Sequence, residues 1–301
     1  MPSYDIIGDV HGHATLLEKL LKQLGYKKKH GAYSHPSRQA VFVGDIIDKG
    51  KEIRAALSIV RSMVDHGSAL MVLGNHEVNA IGWQYPDGDG DYFRKRTKPN
   101  QEQHQETLDA FPDPQEQMAN AKWFQTLPLS LDLGGIRVVH AAWNDESHHE
   151  AGKTPYGDYC VPYAFSEFLP ARHHYEVLCK GYETELPQGL TFRDDKGKER
   201  RHLRTKWWIG ATGRTYRDLS LNEAHPSPEI PVLDPKLPKD DYSGEAPVFF
   251  GHYAADPRKL ILTPKIACLD YGIFHGAPLH AYRWDGEKEL SADKIVKMPH
   301  K

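Results

Sequence analysis

Cysteine is scarce in this chain, with Cys160, Cys179 and Cys268 alone among 301 residues. They are widely spaced and form no CxxC pair, which argues against a disulfide framework and fits reduced thiols. Long apolar runs are missing as well, since nothing approaches the ~18 residues of a membrane-crossing helix. No charge dominates: 38 Lys and Arg face 41 Asp and Glu, a formal net of -3. The signs are interspersed, so neither duplex nucleic acid nor a membrane is an expected partner. No cationic or apolar leader precedes the strand entered at Tyr4, and the expectation is a soluble, cytoplasmic protein. There is no internal repeat, no P-loop and no nucleophile elbow.

What is present is length enough for a sizeable core and a strand ending that recurs. "LMVLGNHEVNA" is apolar to Leu73 and then turns to Gly74, Asn75, His76 and Glu77. "YDIIGDVHGH" does the same at Gly8, Asp9 and His11, and "AVFVGDIIDKG" at Gly44, Asp45 and Asp48. Further on, "IRVVHAAW" delivers His140 and "PVFFGHY" delivers His252. Between the first three strands lie two amphipathic helices. Leu16, Leu17, Leu20, Leu21 and Leu24 form the stripe of the first, and Ile53, Ala56, Leu57, Val60 and Val64 that of the second. Alternation of strand and helix implies a parallel sheet with right-handed crossovers, in which ligands gather at the strand carboxyl ends.

Other stretches are less patterned. Residues 84–128 read as irregular until a helix from about Pro114 to Thr126. Asp87, Asp89 and Asp91 resemble the start of a calcium loop, but Lys98 stands where the closing Glu belongs. "LSLDLGG" reads as a strand turning into "IRVVHA", the lysines at 27–29 as a solvated turn, and "LTFRDDKGKERRHLRTKWW" as a hairpin. "EAHPSPEIPVLDPKLPKDD" reads as a Pro-rich surface stretch.

Two aspartates, an asparagine and three histidines offer hard oxygen plus borderline nitrogen donors. That set suits manganese, iron, zinc or cobalt better than calcium or magnesium. Six ligands exceed one tetrahedral site, and a carboxylate can bridge two ions. Paired ions of this kind activate water against phosphorus while neutralising phosphate oxygens.

The blocks "GDVHG", "GDIIDKG", "GNHE", the strand-borne His140 and "GH" at 251–252 occur in the order seen in calcineurin-like metallophosphoesterases, which this chain resembles. The likeness covers residues 4–80, 136–143 and 247–285, and within the superfamily it points to the branch of phosphoprotein Ser/Thr phosphatases and bacterial diadenosine tetraphosphatases. It implies an α/β fold, a two-sheet αββα sandwich with a dinuclear site at the strand carboxyl ends. On this reading residues 1–301 form one domain, with 145–246 an insertion over the active-site edge.

The resemblance also implies roles. Asp9 and His11 would hold one divalent transition-metal ion, Asp45 would bridge, and Asn75, His140 and His252 would hold the other. Manganese is the first expectation, with iron, zinc, cobalt or nickel as alternatives. His76 would be the catalytic imidazole and Asp48 the carboxylate that orients it, while Glu77 takes a supporting or helix-start place. Lys49 stands where the family commonly has a phosphate-clamping Arg, and it keeps the charge without the bidentate fork. Arg204 and Lys206 are candidates for a second phosphate contact. Ala142 and Trp143 replace the small residues common after the family's histidine. The implied activity is hydrolysis of phosphomonoesters by a metal-bridging hydroxide, on a phosphoprotein, a small ester or a nucleotide. The alternatives are a symmetrical bis(5'-nucleosyl)-tetraphosphatase, with Trp83, Trp143, Trp207 or Trp208 as adenine-stacking candidates, and a non-catalytic metal-binding scaffold.

Overall fold

The computed structural model describes residues 3–153, 171–193, 197–221 and 228–300, which fall into two compact units, 1–179 with 246–301 and 180–245. The first unit begins β1 (Ser3–Ile7), α1 (Ala14–Gln23), β2 (Lys27–Lys29), β3 (Ala32–Ser34), β4 (Arg38–Phe42), α2 (Ile53–Asp65) and β5 (Ala69–Met71). It continues through α3 (Asn75–Gln84), α4 (Lys98–Ala110), α5 (Pro114–Phe124), β6 (Ser130–Asp132), β7 (Arg137–Val139), α6 (Asp145–Lys153) and α7 (Ala171–Lys180).

The second unit holds the antiparallel pair β8 (Glu183–Glu185) and β11 (His202–Arg204), the short pair β9 (Phe192–Arg193) and β10 (Glu199–Arg200), and the helical turn α8 (Tyr216–Leu219). The expected hairpin is therefore two ladders, because β11 leaves β10 and pairs with β8. Thr215 and Asp218 form a reciprocal cap at the start of α8. Trp207, Trp208, Leu203 and Leu219 are buried, and from the Pro-rich stretch Val232 and Leu237 are buried too.

The chain returns to the first unit through β12 (Val248–Phe250), β13 (Ile266–Cys268), β14 (Leu279–Trp284) and β15 (Ile295–Met298). Two sheets result. One has the order β15-β14-β1-β4-β5, with β1, β4 and β5 paired in parallel and β14 antiparallel to both of its neighbours, β1 and β15. The other has the order β13-β12-β7-β6, parallel except for β6.

Alternate residues of the strands point into the space between the sheets. Tyr4, Ile6, Val41 and Val43 from one sheet join Ile136, Val138, Phe249 and Leu269 from the other in one buried cluster, each worth ~1.5–3 kcal/mol in the case of a fully buried Ile, Val or Leu. The opposite face of the larger sheet takes the helices: α1 packs on β14 and β15, and α2 on β5. The leucine stripe of α1 is buried as its spacing predicts. In α2 the stripe is completed by Ile59 and Met63, while Val64 is only half-buried.

Two further local readings change. The lysines at 27–29 form the exposed strand β2 on β3. The stretch 84–128 contains α4, a helix without an apolar stripe whose buried residues are His104 and Thr107. Asp87 accepts hydrogen bonds from the backbone N–H groups of Asp89 and Asp91, closing a turn on itself. Cys179 and Cys268 are free and buried, and Cys160 lies outside the described residues. No helix among the described residues is long and apolar enough to cross a membrane.

Candidate metal centre

Each of the recurring strand ends delivers its polar residues to one place. Asp9 follows β1, Asp45 follows β4, His140 follows β7 and His252 follows β12, while Asn75 and His76 open α3 just beyond β5. Asp9, His11, Asp45, His76 and His140 are all buried.

The Asp45 carboxylate sits at the middle. Its Oδ2 lies 3.6 Å from His11 Nε2 and 3.8 Å from His76 Nε2, and its Oδ1 lies 3.4 Å from His140 Nε2. Asp9 Oδ2 stands 3.9 Å from His11 Nε2. On the other flank, Asn75 Oδ1 is 2.8 Å from His252 Nδ1 and 3.2 Å from His140 Nε2. Two sets of donor atoms, each lying within 4.8 Å of one another, share Asp45: His11, Asp45 and His76, and Asp45, His140 and His252.

Backbone carbonyls set the imidazoles. His11 Nδ1–H donates to the Ile47 carbonyl at 2.9 Å and His140 Nδ1–H to the Val43 carbonyl at 2.8 Å. Each bond directs Nε2 inward, the usual arrangement behind a ligating histidine. Glu77, in the first turn of α3, accepts from the N–H groups of Gly74, Asp45 and Ile46 at 3.0, 2.8 and 2.8 Å. It thereby caps α3 and ties the β4 loop to the β5 loop.

The backbone here is strained and crowded. Among the described non-glycine residues with positive φ, His11, Asp45, Asp48, Lys49 and His252 belong to this centre, leaving only His30 and Ala254 elsewhere. Such conformers cost of order 1–3 kcal/mol each and persist where the surroundings hold them. A Cβ at Gly74 would stand 2.1 Å from Asp45 Oδ1, and one at Gly251 would stand 2.0 Å from Asp9 Oδ1. These two glycines are required by the close passage of backbone past carboxylates.

The electrostatics follow from burial. Burial, and then the neighbouring Asp270 carboxylate, push Asp9 well above the usual carboxylate range. His140 is also buried, which disfavours its charge, but the Asp45 carboxylate beside it outweighs this and brings it up to about 10. Burial lowers His11 to about 3. His76 is buried too, yet Asp45 and a 2.5 Å hydrogen bond from its Nδ1 to Asp48 Oδ2 raise it.

Lys49 lies at the exposed side, with Nζ 3.0 Å from His11 Nε2 and 3.9 Å from the centroid of the Phe274 ring. Arg204 and Lys206 belong to the second unit, where Arg204 pairs with Glu183 and Lys206 Nζ donates to the Asp218 carbonyl at 3.4 Å. Of the tryptophans considered for base stacking, Trp83 packs against His104, Trp143 against His148, and Trp207 against Trp208.

Three residues around the centre escaped the sequence reading. Asp270 follows β13 just as Asp9 follows β1, and "IACLDYG" repeats the apolar-run, Asp, Gly theme that could have revealed it. Its carboxylate accepts from the N–H groups of Ala254 at 2.7 Å and Gly272 at 2.8 Å. His104 and Thr107 of α4 both reach Asp48, and nothing in their local sequence marks them.

A family model described as calcineurin-like phosphoesterase matches residues 3–252. The bis(5'-nucleosyl)-tetraphosphatase PrpE [asymmetrical] of Oceanobacillus iheyensis is 48% identical over 73 residues, which is 24% of this chain and 29% of that protein. The PrpE of Halalkalibacterium halodurans is 45% identical over 74 residues, 24% of this chain and 30% of that protein. Among solved structures, a protein serine/threonine phosphatase from Saccharomyces cerevisiae aligns with a TM-score of 0.50 at 12% identity, covering 98% of this chain and 78% of that one, a likeness of fold.

Proposed function

This chain belongs to the calcineurin-like phosphoesterases, and from that premise we propose that it hydrolyses phosphomonoesters with two divalent transition-metal ions, manganese foremost. The observation that carries the reading is the Asp45 carboxylate, which turns one oxygen to His11 and the other to His140. A bridging ligand needs that disposition.

The residues fit a pair of cations in other ways. Among the described residues, buried Asp9 Oδ1 has no hydrogen-bond partner, and Asp9, Asp45 and Asp270 converge there. Such a site favours an added positive charge. Asp9 and His11 would hold one ion, Asn75, His140 and His252 the other, and Asp45 both. When bound, ions of this kind activate water as the nucleophile and neutralise phosphate oxygens.

The chain's own residues supply the remainder. His76 presents Nε2 to the site and is held at Nδ1 by Asp48, so it is set to donate a proton from Nε2 to the leaving oxygen. Asp48 is held well below the usual carboxylate range despite burial, by hydrogen bonds from His104 and His76, so it remains the anionic partner an imidazolium needs. Lys49 Nζ, at the exposed rim, is placed to meet a phosphate oxygen as a point charge.

The test pairs two adjacent residues. Asn75→Ala should lose part of its metal, and excess manganese should restore part of the rate by mass action. His76→Ala should retain both ions by elemental analysis, yet lose ~10² to 10⁴ in kcat on phenyl phosphate and much less on p-nitrophenyl phosphate. Lys49→Ala should chiefly raise KM, by about tenfold for a lost charge-assisted hydrogen bond. Loss of a metal from His76→Ala would make it a ligand, consistent with its nearness to His11 and Asp45, and would end the general-acid role.

A second reading is cleavage of dinucleoside tetraphosphates, favoured by the printed activity of the PrpE relatives. Those relatives are named asymmetrical, whereas the alternative implied by the resemblance is symmetrical cutting. Diadenosine tetraphosphate assayed with manganese beside phosphopeptides distinguishes the cases: symmetrical cleavage yields ADP alone, asymmetrical cleavage ATP and AMP, and a phosphomonoesterase leaves the dinucleotide intact. Cytoplasmic location, and residues 145–246 as an insertion, are further parts of the proposal.

A further inference from the structure

Asp48 has more partners than an imidazole needs. Its Oδ2 takes His76 Nδ1–H, while its Oδ1 lies 2.7 Å from His104 Nδ1 and accepts the Thr107 hydroxyl hydrogen. Thr107 Oγ1 in turn accepts the backbone N–H of Asp48 at 3.1 Å, so one threonine grips both the carboxylate and the main chain of the same residue. Asp48 needs that grip, because its φ of +65° is unfavourable for a side chain with a Cβ. His76, Asp48, His104 and Thr107 are all buried. His104 and Thr107 lie three residues apart on α4 and so share one helical face. The ring of Trp83 from α3 stands 5.6 Å from that of His104, centroid to centroid.

A carboxylate with one bond to His76 could rotate about χ2, swinging Oδ2 away from Nδ1. With Oδ1 fixed by two donors, rotation would break two buried hydrogen bonds at once. We infer that His104 and Thr107 are positioning residues for His76: they lock the Asp48 carboxylate so that the imidazole is held with Nε2 toward the leaving oxygen. The inference rests on the general-acid role of His76 proposed above. It assigns α4 a part in the reaction although none of its residues enters the metal centre.

The experiment uses the full chain loaded with manganese, with phenyl phosphate and p-nitrophenyl phosphate as poor and good leaving groups. His104→Ala and Thr107→Val should each lower kcat on phenyl phosphate by about tenfold, the lower end for an orienting partner, and on p-nitrophenyl phosphate far less. His104→Asn, which returns an N–H near Nδ1, and Thr107→Ser, which returns the hydroxyl, should restore most of the rate. In a His76→Ala background neither change should add further loss, since the group they position is gone. The metal-free protein gives an independent signature: the His76 Nδ1 proton, bound to Asp48, should appear far downfield in the proton NMR spectrum, and it should broaden or vanish in Thr107→Val.

Equal losses with both leaving groups, or additive losses on top of His76→Ala, would overturn the positioning role while leaving His76 as the acid. A leaving-group-independent His76→Ala would instead remove the underlying role, and the inference with it. Should His104→Ala fail to fold, the Thr107→Val and Thr107→Ser pair decides the matter alone.

Discussion

Asp5 lies within β1 and Asp9 two residues beyond its carboxyl end, and both are buried. Their surroundings are opposite. Asp5 Oδ1 accepts from Arg38 Nε at 2.9 Å and Arg283 Nε at 3.1 Å, and Arg38 also donates to the carbonyls of Tyr4 and Trp284 and to Asp285. Asp285 is shared with Lys294. At this end of the sheet Asp5 and Asp285 are paired with fixed side-chain cations, and none of Asp5, Arg38, Arg283, Asp285 and Lys294 has a positive φ. At the carboxyl end, Asp9 and Asp45 meet histidines, Asp270 and strained main chain. One end is charge-closed and holds the sheet together; the other is charge-open and suits a cation from outside.

The comparison can be broken at its closed end first. Arg38→Ala leaves Asp5 with Arg283 alone, and the expected loss is about 3 kcal/mol, the lower part of the range for uncovering one partner of a buried pair. Urea unfolding should show the shift, while manganese stoichiometry below the transition should not change. A loss of metal binding in folded Arg38→Ala would show that the two ends are coupled.

The open end should respond in the reverse sense. Gly251→Ala forces a methyl against Asp9 Oδ1, and a displacement of about 1 Å there can cost ~10²-fold in rate. Metal content by elemental analysis should fall with it, and the urea midpoint should move little. An active, fully loaded Gly251→Ala enzyme would mean that Asp9 holds no ion.

The smallest effect belongs to Asp285. Hydrogen bonds from Lys294 and Arg38 lower its carboxyl to about 2. A depressed carboxylate contributes stability above its unfolded value of ~3.9, and loses it as pH falls toward about 2. Asp285 is substantially exposed, so Asp285→Asn should cost under ~1 kcal/mol at pH 7. The difference from wild type in urea midpoint should narrow between pH 4 and pH 2; a constant difference would place the stabilisation elsewhere.

Legibility followed the same divide. Four residues of the open end could be read because each stands directly after an apolar run and a glycine, so chain order alone put Asp9, Asp45, Asn75 and His252 at strand ends. The closed end carried no such mark. Arg38 sits in "PSRQAV" and Asp285 in "RWDGE", ordinary surface composition, and only pairing of β1 between β4 and β14 brings them together. Helix α4 is unmarked for a similar reason: "KPNQEQHQETLDA" has no apolar stripe, and what it buries is a histidine and a threonine.

The sequence by itself determined the alternation of strand and helix, the facing stripes of α1 and α2, and the donor types offered at five strand ends. These depend on neighbours within a few residues, where spacing and side-chain chemistry act directly. Tertiary structure alone decided that Asp45 stands between His11 and His140, that Asp270 joins Asp9, and that His104 and Thr107 grip Asp48 across 56 and 59 residues of chain. A buried hydrogen bond between distant segments leaves no periodicity behind it. It forms because packing expels water from both groups, and each then needs the other.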